Sequence, residues 1–114
     1  MEYNIRTRGL KLMPQELGTI RRLIRHRLDH RKDLLRFVHL RLVDENGDKG
    51  GIDKLGKLEL GLVQGGAIHL TGKGISPLSL AADLLDRANE ALARLVGKQR
   101  SGRSYEKDQL MSTD

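Results

Sequence analysis

Apolar and polar residues alternate along four short stretches of the chain, which is the pattern of strands buried on one side only. The four predicted strands span residues 3–9, 36–43, 57–62 and 67–73. In the first of them, Tyr3 and Ile5 point to one side of the strand, and Arg6 and Arg8 point to the other. Each predicted strand therefore has one face for a core and one face for solvent.

Two longer stretches repeat their apolar residues at the spacing of a helix with one buried side. The first helix is predicted to begin at Pro14, whose missing N–H would be unpaired in the first turn anyway, and to reach about His30. The second is predicted to follow Ser76 as N-cap and Pro77, and to end near Gly97. Their apolar sides consist of Leu17, Ile20, Leu23, Ile24 and Leu28, and of Leu80, Leu84, Ala88, Ala91, Leu92 and Leu95.

Turn signals separate the last three strands. Residues 44–56 form a glycine-rich polar connection in which Asn46 and Gly47 predict a type I′ turn, and residues 64–66 predict a hairpin turn. The element order is therefore β-α-β-β-β-α. Because each element is apolar on one side, we expect an α+β two-layer sandwich, a four-stranded sheet with both helices on one face. We assign residues 1–98 to this domain and residues 99–114, which lack periodicity, to a flexible tail.

Composition narrows the class of protein. A chain of 114 residues suits one domain, and with 38% hydrophobic but only 3% aromatic residues its core has to be aliphatic. The absence of cysteine excludes disulfides, thiolate metal sites and a cysteine nucleophile. No apolar run approaches the roughly 20 residues of a membrane-spanning helix, and the N-terminus shows no signal-peptide pattern. We therefore expect a cytoplasmic protein with no membrane partner.

The charge balance is the most informative feature of the composition. Lysine and arginine number 21 against 15 acidic residues, which gives a net charge of +6 and an isoelectric point near 10.0. Basic proteins are drawn to polyanions through Coulomb attraction and counterion release, and nucleic acid is the commonest such partner. The alternative is that the basic balance serves solubility alone.

The candidate binding residues are basic side chains of the two helices: Arg21, Arg22, Arg25, Arg87, Arg94 and Lys98. Those on the first helix fall within about a third of the helical wheel, and those on the second are spaced to line one edge. If both helices cover the same sheet face, the two stripes flank one groove, which could bridge phosphates on both strands of a duplex RNA. The alternative is a solvated face whose cations are neutralised by Asp29, Asp83, Asp86 and Glu90.

Three other motifs lack a residue that their chemistry needs. Residues 51–57 have the spacing of a phosphate-binding loop, but Leu58 stands where a magnesium-binding Ser or Thr is required. Residues 44–48 resemble the start of a calcium loop, which would need a bidentate Glu further along. His26 and His30 lie one helical turn apart without an evident third ligand. We therefore expect no metal, no cofactor, no small-molecule substrate and no enzymatic activity.

Three segments resemble the ribosome hibernation-promoting factors, also called ribosome-associated inhibitors or subunit-interface proteins. They are residues 4–10 with the proline-started helix that follows, residues 65–74 and residues 80–87, and the glycine-rich residues 45–54 look like an insertion in short members of that family. The resemblance implies a double-stranded-RNA-binding-like fold on the small ribosomal subunit, near the decoding region, where it silences idle ribosomes. In that resemblance Arg87 matches a basic position of the second helix, and Arg94 is matched to another.

These observations predict a protein that binds the rRNA of the small ribosomal subunit through basic helices and inhibits or stores idle ribosomes under stress. Two alternatives stay open. The exposed sheet face, with Phe37, His39, Arg41 and His69, could form a protein-interaction or dimerisation surface without RNA binding. The chain could also bind structured RNA outside the ribosome. Because the chain has only three aromatic residues, we expect binding to phosphates and shape, steeply dependent on salt, rather than base stacking.

Overall fold

The computed structural model describes residues 1–45 and 54–105, and side chains as far as residue 97. The elements in chain order are β1 (Glu2–Arg8), α1 (Pro14–Leu28), a short 3₁₀ helix (Asp29–Leu34), β2 (Leu35–Asp44), β3 (Lys54–Leu62), β4 (Ala67–Gly74) and α2 (Pro77–Tyr105). All four strands and both helices overlap the stretches that the hydrophobic pattern predicts. The predicted connection of residues 44–56 is too long, because β2 includes Asp44 and β3 begins at Lys54. The predicted type I′ turn at Asn46-Gly47 falls outside the described residues.

The strands form one four-stranded sheet in the order β1-β2-β3-β4. β1 pairs with β2 in parallel, and the other two pairs are antiparallel. Parallel pairing needs a crossover between the strands, and α1 supplies it. The turn from β3 to β4 is tight because Gly65 and Gly66 take positive φ of 111° and 80°. The hairpin turn predicted at residues 64–66 is therefore confirmed.

One aliphatic core joins the two layers, because inward side chains of the strands and the apolar sides of both helices belong to one buried cluster. Alternate residues of β2 and β3 enter it, together with one side of each helix: Val38, Leu40, Leu42, Leu58, Leu60, Ile20, Ile24, Leu28, Leu84, Leu85, Ala88 and Leu92. Each fully buried leucine or isoleucine contributes about 1.5–3 kcal/mol relative to an exposed one. The α+β two-layer sandwich predicted from the sequence is confirmed.

The helix starts follow from local hydrogen bonding. At α1 the backbone N–H of Met13 donates to Glu16 Oε1 at 2.8 Å. At α2 the Ser76 hydroxyl accepts from the Ser79 N–H at 3.4 Å, which confirms Ser76 as the cap residue.

The helix ends differ from the predicted ones. α1 ends at Leu28 and continues as the 3₁₀ helix, whereas the sequence pattern carries it to about His30. The predicted end of α2 at Gly97 is wrong, because the helix runs on to Tyr105. A glycine ends a helix when it adopts a positive φ, and Gly97 is not among the glycines that do so. The division into a domain of residues 1–98 and a tail of residues 99–114 stays a prediction.

Side chains of α2 pack tightly on β3 at Gly56. A β-carbon at this position would lie 2.7 Å from Leu84 Cδ1 and 3.1 Å from Leu80 Cγ, so a larger side chain fits only if these leucines move. The two helices and their core occupy one face of the sheet. The opposite face, which we call the open face, carries no helix of residues 1–45 and 54–105.

Candidate nucleic-acid interface

The candidate arginines of α1 lie over the β1 edge of the sheet. Arg25 Nη1 is 3.5 Å from the Tyr3 hydroxyl on β1, at the limit of a hydrogen bond. Arg21 lines a small depression together with Tyr3 and Asn4 of the same strand. Arg22 lies further round the helix, where its guanidinium donates to the Thr19 hydroxyl at 3.1 Å. All three arginines are exposed.

The candidate cations of α2 lie on the opposite side of the molecule. Arg87 Nη1 donates to the backbone carbonyl of Thr71 on β4 at 2.9 Å, and it is 3.7 Å from the Asp83 carboxylate one turn earlier. Arg94 is exposed, and seven residues of helix return it to about the same side as Arg87. The side chain of Lys98 lies outside the described residues.

The two groups of helix cations do not converge on a common groove, so this part of the sequence interpretation is wrong. Arg25 contacts β1 and Arg87 contacts β4, and these are the two outer strands of the sheet. Three strand spacings of about 4.8 Å separate the two edges by about 14 Å. Helical periodicity gives the side of a helix on which a residue lies, but it does not say which neighbouring element that side faces.

The space between the helices holds other arginines, and these have partners. Arg27 Nε lies 2.5 Å from Asp86 Oδ1, and Arg31 Nε donates to Asn89 Oδ1 at 3.2 Å. Asp86 is therefore one of the acids that neutralises a helix cation, as the alternative interpretation of the charged face expects. The interhelical groove ties α1 to α2 and presents little unpaired positive charge.

Several cations without partners lie close together on the open face. The sequence analysis did not identify them as a candidate site. In the strand register Arg6 of β1 pairs with Arg41 of β2, and Arg41 pairs in turn with Lys57 of β3. We call these three residues the cation row. Neighbouring strands are about 4.8 Å apart, so the backbone positions of Arg6 and Lys57 are only about 10 Å apart, with Arg41 between them. Arg8 and Lys73 lie one row further along the same face, opposite Val43 and Leu55.

Exposure and lack of partners distinguish these five cations from the arginines between the helices. Arg6, Arg8, Arg41, Lys57 and Lys73 are all exposed. Within residues 1–45 and 54–97, none of the five makes an ion pair or a side-chain hydrogen bond. Their charge therefore faces solvent.

Two adjoining depressions on the open face share the centre of the cation row. One, of about 300 Å³, is lined by Arg6, His39, Arg41, Lys57 and Glu59. The other, of about 350 Å³, is lined by four of the cations and one acid, with Val43 and Leu55 among its apolar residues: Arg8, Arg41, Lys57, Lys73 and Glu45. Arg41 and Lys57 line both, so the two depressions adjoin at the centre of the cation row.

The next row of the open face has mixed charge. Glu59 lies between two histidines, with His69 Nε2 at 3.1 Å and His39 Nδ1 at 3.8 Å from its carboxylate oxygens. The His39 ring stacks on Phe37 with centroids 4.4 Å apart, and the Phe37 ring covers Gly61 on β3. The alternation of β2 predicts these side chains on one face, but their pairing across strands needs the register.

Two negative findings concern the part of the chain that the structure describes. No helix in residues 1–45 and 54–105 is long and apolar enough to cross a bilayer. Among the described residues, no group of three histidine or acidic side chains is placed so that it could hold a metal ion. His26 Nδ1 lies 2.6 Å from Arg27 Nη1.

The architecture matches solved structures of other proteins. A ribosomal subunit interface protein from Coxiella burnetii superposes with a TM-score of 0.70 at 13% identity, over 85% of this chain and 99% of the other. The chain folds like a ribosomal subunit interface protein. The N-terminal domain of Protein Y from Thermus thermophilus is similar as well, with a TM-score of 0.65 at 10% identity over 83% of this chain and 99% of that domain. Neither a protein-family model nor a curated protein sequence matches the chain.

The superpositions confirm the fold that the sequence resemblance implies. They cover nearly the full length of both solved chains, so the shared part includes the sheet and both helices. At 10–13% identity they concern backbone architecture and do not assign the role of any side chain. The binding surface has to be argued from the charges described above.

Proposed function

We propose that this protein binds ribosomal RNA on the small subunit and inhibits or stores idle ribosomes in the cytoplasm. The observation that carries the proposal is an excess of exposed positive charge on a fold shared with ribosomal subunit interface proteins. Phosphate-rich RNA is the partner that such charge favours, and stacking platforms are scarce. The protein acts by occupying a site on the ribosome and not by catalysis.

The helix arginines contribute to this binding from both sides of the molecule. Arg21 and Arg25 lie over the β1 edge and Arg22 further round α1, while Arg87 and Arg94 lie on the β4 side; Lys98 stays a predicted member of the second group. Two separated basic edges favour a partner that surrounds the protein, such as a cleft in a large RNA. A single duplex lying between the helices would meet the Arg27–Asp86 ion pair instead.

Sedimentation with ribosomes tests the proposal. We expect the wild-type protein to move with small subunits or whole ribosomes in a sucrose gradient at low salt, and to leave them at high salt because counterions compete for the phosphates. The variant Arg21→Glu/Arg25→Glu/Arg87→Glu/Arg94→Glu should sediment less with ribosomes. Free protein at the top of the gradient at every salt concentration would contradict the proposal.

A second candidate function is binding to structured RNA outside the ribosome, and the same charges favour it. Affinities for a small-subunit rRNA fragment and for an unrelated duplex of equal length separate the two. We expect the rRNA fragment to bind at least about tenfold tighter, which corresponds to about 1.4 kcal/mol. Equal affinities at matched salt would favour the general RNA binder. Circular dichroism of the four-arginine variant described above checks that it is folded.

A further inference from the structure

We propose that the principal RNA-contacting surface is the open face of the sheet, where the cation row of Arg6, Arg41 and Lys57 binds the phosphate backbone. The inference rests on the proposed function and assigns its binding surface to the side of the molecule opposite the helices. Three observations support it: the register, the absence of partners and the shape of the face.

The register places like charges against one another. Arg6 faces Arg41 and Arg41 faces Lys57 across neighbouring strands, where directly opposed like charges destabilise a sheet. No acid among the described residues pairs with any of the three. The folded protein therefore carries a repulsion that a bound polyanion would remove, so binding gains the relief of that repulsion in addition to the new contacts.

The shape of the face fits an extended phosphate chain. Together the two depressions are lined by residues of all four strands and share Arg41 and Lys57, and the second adds Arg8 and Lys73. Five cations therefore line them against two acids, Glu45 and Glu59. Guanidinium groups can donate two hydrogen bonds to one phosphate, and lysine acts there as a point charge. A strip of five cations can therefore follow consecutive phosphates of one RNA strand.

A lipid surface fits this face less well. Peripheral membrane binding requires large apolar side chains that insert beside the basic ones. The exposed large hydrophobic residues of the described chain are Met1, Met13, Val63 and Ile75, and all four lie outside the open-face positions of the strands. Val43 and Leu55 on the open face are only half-exposed between cations. The face therefore offers charge without an apolar anchor.

Paired charge-reversal variants test the assignment. The sheet variant is Arg6→Glu/Arg41→Glu/Lys57→Glu, and the matched helix variant is Arg21→Glu/Arg25→Glu/Arg94→Glu, which changes the net charge by the same amount. Affinity for purified small subunits is measured for wild type and both variants at several salt concentrations, and circular dichroism checks the fold. We expect the sheet variant to lose at least about 100-fold in affinity and the helix variant to lose less than about tenfold.

The possible outcomes separate the two proposals. If the helix variant loses affinity and the sheet variant binds like the wild type, the open-face assignment is wrong, but the proposal of ribosome binding stands. Equal losses in both variants also overturn the assignment, since net charge alone would then explain the binding. If even the wild-type protein fails to bind small subunits at low salt, the proposed function itself is wrong.

A neutral variant keeps the test decisive if charge reversal impairs folding. Arg6→Gln/Arg41→Gln/Lys57→Gln removes the row without adding negative charge, and it also removes the repulsion between strands. Each phosphate contact contributes about 0.7–0.9 to the slope of log affinity against log salt, so three lost contacts should lower that slope by about 2–3. An unchanged slope in a folded Gln variant would overturn the assignment.

Discussion

The two faces of the sheet treat positive charge in opposite ways. On the covered side two helix arginines meet acids, in the Arg27–Asp86 and Arg87–Asp83 pairs, and Arg31 donates to Asn89. On the open side cations face cations, and the row from Arg6 to Lys57 has no acidic partner among the described residues. The helices have more arginines, but the sheet leaves more of its cations available. The number of basic residues therefore says less about a binding surface than their arrangement.

Counts of charged residues make the same contrast. In residues 14–34 and 77–97 eight lysines and arginines accompany six acidic residues. The outward strand positions of the sheet hold five lysines and arginines and two acids, Glu2 and Glu59. Glu59 contacts two histidines, and among the described residues it forms no ion pair with the cation row.

Gly56→Ala should have the largest effect, because it changes the covered face where α2 meets β3. The new methyl group would press on Leu84 and Leu80, and overpacking of this kind costs about 1–3 kcal/mol. We expect that loss in the free energy of unfolding, measured by urea denaturation.

Gly61→Ala is the matched control on the open face of the same strand. Its methyl group would displace only the Phe37 ring, which can turn toward solvent. We expect a smaller loss than for Gly56→Ala. A larger loss would mean that the open face is packed at least as tightly as the covered one.

Arg87→Ala should destabilise the protein modestly. It removes the hydrogen bond to the Thr71 carbonyl and the contact with Asp83, which tie α2 to the β4 edge. Since the side chain is 43% exposed, we expect a loss of about 0.5 kcal/mol by the same denaturation measurement, partly screened by salt. Unchanged stability would indicate that the paired arginines of the helices serve something other than folding.

Arg41→Thr should have the smallest effect and the opposite sign. Removing the central cation relieves repulsion on both sides, and threonine suits a strand, so we expect a gain of a few tenths of a kcal/mol. The same variant should bind small subunits about tenfold more weakly, measured in parallel. Lower stability together with unchanged affinity would remove the distinction between structural and functional cations.

The fold could be predicted from the sequence because its signals are local. The alternation around Leu40 and Leu58 and the helical repeat around Ile20 each fix a buried face, and the assembled core uses those faces. The candidate site could be predicted only in part. The position of Arg25 beside β1 and of Arg87 beside β4 depends on which strand each helix edge covers, and that is a property of the packed layers.

The cation row illustrates the same limit. The alternation places Arg6 and Arg41 on outward faces of their strands, but nothing in the sequence gives the register that sets them side by side. That register depends on the parallel pairing of two strands separated by a whole helix. The extension of α2 beyond Gly97 escaped prediction because a glycine is compatible with either a helix end or a helix interior.

The parallel pairing of β1 at the edge of the sheet has a consequence for how this protein holds its N-terminus. β1 lies against a single neighbouring strand, so thermal fluctuation detaches it more easily than β2 or β3, which each have two neighbours. Arg6 belongs to that strand, and the row is complete only while the strand is docked. RNA bound across the row would therefore stabilise the state in which β1 is paired with β2, because it binds only that state. Fraying of the first strand and release of RNA would be coupled through one arginine.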